Sequence, residues 1–286
     1  MISVSVVIPF YSKLTGLLQN AVLSALTQTE HELEVIIVDD CSPVSAMDEL
    51  ANIGDERVRI IRHEKNSNGG IARNTGIDAA EGEFVAFLDY DDVWYSDKLE
   101  NQIKLIRKAE LHISNPVVYS RCKIIDGARV MIRPVRAIED NERVGDYLFC
   151  ARQIIQTSGI LLKTSLAKAV RFDDLKRHQD YQFCLALENY GCKFFMLDTP
   201  SYEFIQIAKL NDFNFSIFWL KKYSELLTPK AIKGFNSLVV MRTMIAARKY
   251  IDSFNLAVKQ ELIVDFLKAI VFKAIKKIYM KVNGIF

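Results

Sequence analysis

Phe84-Val85-Ala86-Phe87-Leu88-Asp89-Tyr90-Asp91-Asp92 is the stretch whose reading decides the fold. Its first five residues are apolar, the pattern of a strand buried on both faces in a parallel sheet. The run stops at three carboxylates within four positions, which repel one another and call for a counter-charge. Open α/β sheets bind ligands beyond the carboxyl ends of their strands, so a divalent cation is the expected partner. Alternate residues leaving a strand point the same way. Asp89 and Asp91 therefore suit Mg2+ or Mn2+, which take one or two carboxylates and fill the remainder with water and phosphate oxygens. The plain alternative is a solvated acidic turn capping the next helix. The buried strand in front of it favours the metal.

Outward from this stretch the same unit repeats. Residues 3–8 form a predicted strand ended by Pro9-Phe10-Tyr11, and Thr15 is the expected cap of a helix carrying Leu17, Leu18, Ala21, Val22 and Ala25. Leu33 to Val38 is a second buried strand, followed by a short helix over 44–51 and a strand over 58–62. A polar loop, 63–70, leads into a helix over 71–80 and then to the opening strand. Strand and helix alternate, which favours a doubly wound α/β fold with a mostly parallel sheet. Further on, helices are expected over 96–110, 144–150 and 178–190. Strands are expected over 116–125, 158–162 and 193–197, and a helical region from about 211 onward.

Composition narrows the function classes. The 286 residues suffice for one large α/β domain and an appendage, and a net charge of +2 gives no reason to expect nucleic acid as a partner. Five scattered cysteines without CxxC spacing favour reduced thiols in the cytoplasm over a disulfide framework or zinc site. No signal-type segment opens the sequence, and no uninterrupted apolar stretch reaches transmembrane length.

The strand ends carry neither G-x-G-x-x-G nor G-x-x-x-x-G-K-[ST], so dinucleotide and P-loop chemistry are not expected. Asp39-Asp40-Cys41-Ser42 ends the second strand. A carboxylate there can accept from the imide N–H of a uracil ring, or it can cap a turn, and the two readings weigh evenly. Asn68-Gly69-Gly70-Ile71-Ala72-Arg73 opens a helix whose glycines would let a ligand approach the backbone. Arg73 would face a diphosphate or hold a strand-end carboxylate such as Asp40. Singly, a plain Gly turn with a surface arginine is the commoner case.

In order, Ser5-Val6-Val7-Ile8-Pro9-Phe10-Tyr11, Val35-Ile36-Ile37-Val38-Asp39-Asp40-Cys41-Ser42, Asn68-Gly69-Gly70-Ile71-Ala72-Arg73-Asn74-Thr75-Gly76 and Gly82 to Asp92 closely resemble the family-2 glycosyltransferases. The resemblance is strong over 3–125 and weaker to about 200. It implies a GT-A fold, Rossmann-like with a mostly parallel central sheet flanked by helices, here over 1–205, with a helical C-terminal region over 206–286. It implies a nucleotide-diphospho-sugar donor, with UDP the expected nucleotide, and a glycan or lipid-linked acceptor. By resemblance, Pro9, Tyr11, Asp40 and Arg73 line the nucleotide pocket, Asp89 contacts ribose or metal, and Asp91 ligates the cation. Tyr90 stands where relatives often have Asp or Ser and would restrict the donor side. Asp39 is a reserve candidate, and Asp92 is left between partner to these carboxylates and helix cap.

The family's catalytic carboxylate is matched by Arg177-His178-Gln179-Asp180-Tyr181, with Asp180 as the base and Gln179 in place of the usual Glu. The plain alternative for Asp180 is a helix N-terminal carboxylate. His178 is a reserve contact for diphosphate or metal. Trp94 resembles a family aromatic beside the donor and acceptor cleft, though a core aromatic would look the same. Thr157-Ser158 is expected to line the acceptor side. The rival functions are a catalytically inactive nucleotide-sugar-binding scaffold and a sugar-nucleotidyltransferase. The latter should carry a Gly-rich basic loop where this chain has Pro9-Phe10-Tyr11-Ser12.

From Trp219 on, thirteen Lys and Arg face four Asp and Glu. At helical spacing Ile263, Phe266, Leu267, Ile270, Val271, Ala274 and Ile278 share one face, with Asp265, Lys268, Lys273 and Lys276 on the other. Two uses of that face are expected to weigh evenly: packing on protein (the catalytic domain or a homodimer partner), or peripheral contact with the cytoplasmic face of an anionic membrane.

Overall fold

The computed structural model describes residues 2–127, 129–205 and 212–282, with residues 276–282 described by backbone alone. In chain order the elements are β1 (Val4–Phe10), α1 (Leu17–Leu26), β2 (Leu33–Asp39), α2 (Ala46–Glu49), β3 (Val58–Arg62), α3 (Asn68–Ala79), β4 (Phe84–Phe87), β5 (Val93–Trp94) and α4 (Lys98–Glu110). There follow β6 (Pro116–Asp126), β7 (Arg129–Arg133), α5 (Val144–Phe149), β8 (Leu161–Lys163), α6 (Thr164–Val170), α7 (Gln179–Asn189) and β9 (Lys193–Ile205). The remainder is helical: α8 (Phe213–Tyr223), α9 (Pro229–Phe235), α10 (Arg242–Ala246), α11 (Tyr250–Lys259) and α12 (Ile263–Val282).

Strand order in the sheet is β3-β2-β1-β4-β8-β6-β9-β5, with β7 paired to β6. The half formed by β3, β2, β1 and β4 is parallel, β8 runs antiparallel to both β4 and β6, and β6 runs parallel to β9. The largely apolar runs of β1, β2 and β4 follow from burial of both faces, with Ser5 of β1 satisfied by donating to Glu34 of β2 at 2.6 Å. Val4, Val6, Ile8, Val35, Ile37, Phe84 and Ala86 pack with Leu18, Val22 and Leu99 of the α1/α4 layer. Ile36 and Val38 pack with Ala72 of α3 on the opposite face. Gly76 is fixed by this layer, since a Cβ there would lie 2.3 Å from a Val7 methyl.

The chain divides into a sheet unit, residues 1–144 and 153–207, and a helical unit, residues 145–152 and 208–286. The expected 205/206 division adjoins residues 206–211, which lie outside those described. In the helical unit Trp219 stacks on Phe235 at 4.9 Å, and Phe149 meets both rings edge-on. No helix among the described residues is long and apolar enough to cross a membrane.

Three local expectations need correcting. Thr15 does not cap α1: the helix starts after Gly16 (φ 88), whose N–H donates to the Glu49 carboxylate of α2 at 2.7 and 2.8 Å. The helix expected over 71–80 begins already at Asn68, so Gly69 and Gly70 lie inside its first turn. The strand expected over 158–162 is a 3₁₀ turn at Thr157–Gly159 followed by the short β8.

Candidate active site

The site forms where the carboxyl ends of β1, β2 and β4 meet the start of α7. Ser12 N donates to Ser42 Oγ (2.9 Å), and Ser42 Oγ donates to Ser12 O (3.0 Å), lacing together the loops that follow β1 and β2. Pro9 is buried at the end of β1, and Tyr11 is exposed beyond it. Asp39 and Asp40 divide the work at the end of β2. Asp39 accepts from Ser42 N (2.8 Å), Ala46 N (3.0 Å) and Arg62 Nη1 (2.5 Å), so it supplies the turn and cap chemistry. Asp40 Oδ1 meets His63 Nδ1 and Ser67 N, each at 2.8 Å. His63 Nε2 lies 2.9 Å from Thr75 Oγ1, tying the same loop to α3.

The strand-end carboxylate that Arg73 holds is Asp89, not Asp40. Arg73 Nη2 pairs with Asp89 Oδ1, and Nη1 donates to Gln179 Oε1 at 2.8 Å. The guanidinium is nearly buried and lies 5.5 Å from the Phe172 ring centroid. Arg73 thus bridges the end of β4 to the first residue of α7. Gln179, which departs from the family's usual Glu, is the neutral acceptor in that bridge, and its Nε2 donates to Leu175 O at 2.5 Å. Because Gln179 is neutral, the carboxylate paired directly with Arg73 is Asp89.

The glycines of α3 serve this junction. A Cβ on Gly70 would meet Asp173 O at 2.5 Å, and one on Gly69 would meet Arg73 Nη1 and Gln179 Oε1 at 3.1 Å. What approaches them closely is the backbone at Asp173 for Gly70 and the Arg73 and Gln179 side chains for Gly69, where a ligand is expected from the sequence. Asn74 exchanges two hydrogen bonds with Phe172 (2.8 and 2.9 Å), and Asn68 Nδ2 donates to Asp174 Oδ1 at 3.1 Å.

The acidic loop is supported from beneath. Asp89 N donates to Ser158 Oγ at 3.0 Å, and Thr157 Oγ1 lies 3.2 Å from Asp89 Oδ1. Asp92 is turned inward, 2% exposed, and accepts from Ser158 Oγ at 2.5 Å. Thr157 and Ser158 are buried and carry the carboxylates, contrary to the expected lining of an acceptor surface. Trp94 is likewise a core residue at 3% exposure, its Nε1 donating to Ser158 O (3.0 Å). Below it lies Lys98, fully buried, with Nζ 3.8 Å from the Trp94 ring and donating to Gln102 Oε1 at 2.6 Å. Burial pushes the Lys98 pKa well below the usual lysine range. Tyr90 packs edge-on against Phe10 at 5.4 Å, and its phenol is raised by burial and by the charge of Asp91. Asp89 and Asp91 keep partial contact with solvent.

Asp180 sits in the first turn of α7, one residue past the Arg73–Gln179 bridge. Burial raises its carboxyl to about 6; the Tyr181 amide and the charge of Arg73 pull the other way, and Asp89 adds to the rise. Asp180, Arg73 and Asp89 therefore lie within one electrostatic neighbourhood. His178, in the left-handed region at φ 59, stacks on Tyr181 at 5.3 Å. Burial and the charge of Arg177 lower it to about 4, so it is neutral at pH 7. Among the described residues no three His, Cys, Asp or Glu side chains gather into a metal cage. One or two carboxylates open to water, as at Asp89 and Asp91, still fit an ion that is held largely by phosphate oxygens.

The parallel half of a mixed sheet thus ends in carboxylates beside the start of the helix that carries Asp180. The family model for glycosyl transferase family 2 matches residues 5–171, and the chain belongs to that family. It is 34% identical over 246 residues to the amylovoran biosynthesis glycosyltransferase AmsB of Erwinia amylovora, covering 81% of each chain. It is 30% identical over 128 residues to WfgD of Escherichia coli, a UDP-Glc:alpha-D-GlcNAc-diphosphoundecaprenol beta-1,3-glucosyltransferase, covering 45% of this chain and 49% of that one. Among solved structures, S. aureus TarS 1-349 in complex with UDP-GlcNAc shares the fold. The TM-score is 0.58 at 20% identity, covering 93% of this chain and 72% of that one.

Proposed function

We propose that this glycosyltransferase moves a sugar, with inversion, from a UDP-sugar to a hydroxyl of a glycan or lipid-linked oligosaccharide during polysaccharide assembly. The observation that carries the reading is the Asp89–Arg73–Gln179 bridge, which ties the end of β4 to the helix that bears Asp180. The relatives' names and the UDP-GlcNAc bound in the TarS structure support the donor class.

Asp180 takes the proton of the acceptor hydroxyl as that oxygen attacks the anomeric carbon. The bond from that carbon to the diphosphate oxygen breaks, its electron pair leaves with UDP, and no enzyme nucleophile is required. A carboxyl raised to about 6 is mostly ionised at pH 7 and more basic than an ordinary aspartate, which suits a general base worth about 10²–10⁴ in rate. Asp40, held through Oδ1 by His63 and Ser67, reads the base through Oδ2, and Pro9 and Tyr11 line the same nucleotide pocket in this reading. Asp91 and Asp89 would hold Mn2+ or Mg2+, which when bound offsets the charge building on the leaving diphosphate. The protein works at the cytoplasmic face of the membrane through peripheral contact of its basic C-terminal helix.

Thermal shift with UDP, GDP and CMP, each with and without Mn2+, tests the donor. The expected result is a UDP shift that needs the metal and shrinks in Asp91→Ala. A UDP shift indifferent to both changes removes Asp91 and the metal from the reading. UDP release from a panel of sugar nucleotides then separates transferase from scaffold.

A further inference from the structure

The helical unit has a half-open cavity of about 490 Å³ with a mostly apolar wall, and the charges along that wall are uneven. Arg152, Arg242, Lys268 and Lys273 line it against one carboxylate, Asp265, whose Oδ1 is 3.4 Å from Arg152 Nη2. Lys273 Nζ is spent on Ile245 O (2.5 Å) and the Tyr250 hydroxyl (3.1 Å). Burial and the like charge of Arg152 both disfavour the charged form of Arg242, and Asp265 only partly offsets them. The cations of this cavity are under-compensated.

The cavity borders an apolar strip. The inward side of α12, with Phe266, Ala269 and Ile270, packs on Met241, Ile245, Ala257 and Leu262. Ile263, Val264, Leu267, Val271, Phe272 and Ile275 remain between 45% and 64% exposed. The single face expected at helical spacing is thus two faces, one packed and one bare; Ile278 and Lys276 lie outside the described side chains. Lys268 and Phe272 border both the cavity and the groove along the bare strip.

We propose that this cavity receives the phosphate headgroup of an anionic phospholipid while the bare strip of α12 lies in the bilayer interface around it. Cations beside an apolar surface match an amphiphile with an anionic head, and a helix too polar to cross a membrane can lie along one. A second copy of the chain fits poorly, because a two-fold contact would bring the same uncompensated cations against each other. The proposal rests on the peripheral-contact reading above and narrows it to named side chains.

Flotation of the full chain with neutral phosphatidylcholine vesicles, and with vesicles containing about 30% phosphatidylglycerol at about 0.1 M salt, tests it. Binding is expected to the anionic vesicles and to fall roughly fivefold for each charge removed in the pair Arg242→Gln and Lys268→Gln. Lys249→Gln with Lys259→Gln, outside the cavity, should cost clearly less. UDP release and circular dichroism should stay unchanged in all four substitutions. Equal loss in both pairs overturns the headgroup site. Loss in Leu267→Asp/Val271→Asp alone overturns the headgroup site while leaving surface contact standing. Absence of flotation, or a dimer that buries the strip, overturns both.

Discussion

Arg73 is the residue on which the site turns, because one planar guanidinium serves Asp89 and Gln179 at once. Lysine offers a point charge without that fork. Arg73→Lys should therefore keep the fold and lose tenfold or more in kcat, and Arg73→Ala should also cost about 1–3 kcal/mol in urea unfolding. Asp180 carries the pH dependence. The proposed role of base requires the ionised form, so kcat/KM should fall with unit slope below about pH 6; a limb centred near 4 would contradict the burial argument. The sign for stability is opposite. The folded protein holds this proton up to about 6 and the unfolded chain only to about 3.8, so stability is lost as pH rises through that window. Asp180→Asn should accordingly stabilise the protein at pH 7.5. A shift of this size corresponds to about 3 kcal/mol at full burial; the partial water contact of Asp180 reduces the expectation to about 1–2 kcal/mol. Individual carboxylates were legible in the sequence because strand ends and a helix start announce them. Their connection was not: Gln179 read as a departure from the family pattern, and only the fold shows it receiving Arg73 across 106 positions.

At the scale of elements, the junction between α3 and the 172–179 segment sets the geometry. Gly70→Ala would drive a methyl into Asp173 O, so the segment must move. The expected outcome is an overpacking cost of about 1–3 kcal/mol together with a larger fall in transfer than in UDP binding. Equal losses in both would show that the segment does not position α7. The parallel strands β1, β2 and β4 were legible because burial on both faces writes a run of mostly consecutive apolar residues. Strands β5 and β8 span two and three residues and carry no period to read. The start of α1 was misread for a similar reason: its carboxylate partner, Glu49, lies 33 positions away.

At the scale of the whole molecule, residues 145–152 belong with the helical unit, although sequence position sets them among the strands. Phe149, Trp219 and Phe235 form its aromatic centre. Trp219→Ala should cost about 3–5 kcal/mol and lower the Tm, while the UDP-induced thermal shift persists in whatever fraction remains folded. Disappearance of the shift would mean that donor binding depends on the helical unit. The helical pattern from 211 on was legible in sequence. The division of α12 into packed and bare faces was not, since apolar residues occur on most of its circumference.

The most direct test of the central claim is single-turnover sugar transfer by Asp180→Asn, with UDP-sugar binding measured on the same sample. Donor affinity should hold within a factor of about two while the transfer rate falls by about 10²–10⁴. Transfer at the wild-type rate would contradict the account.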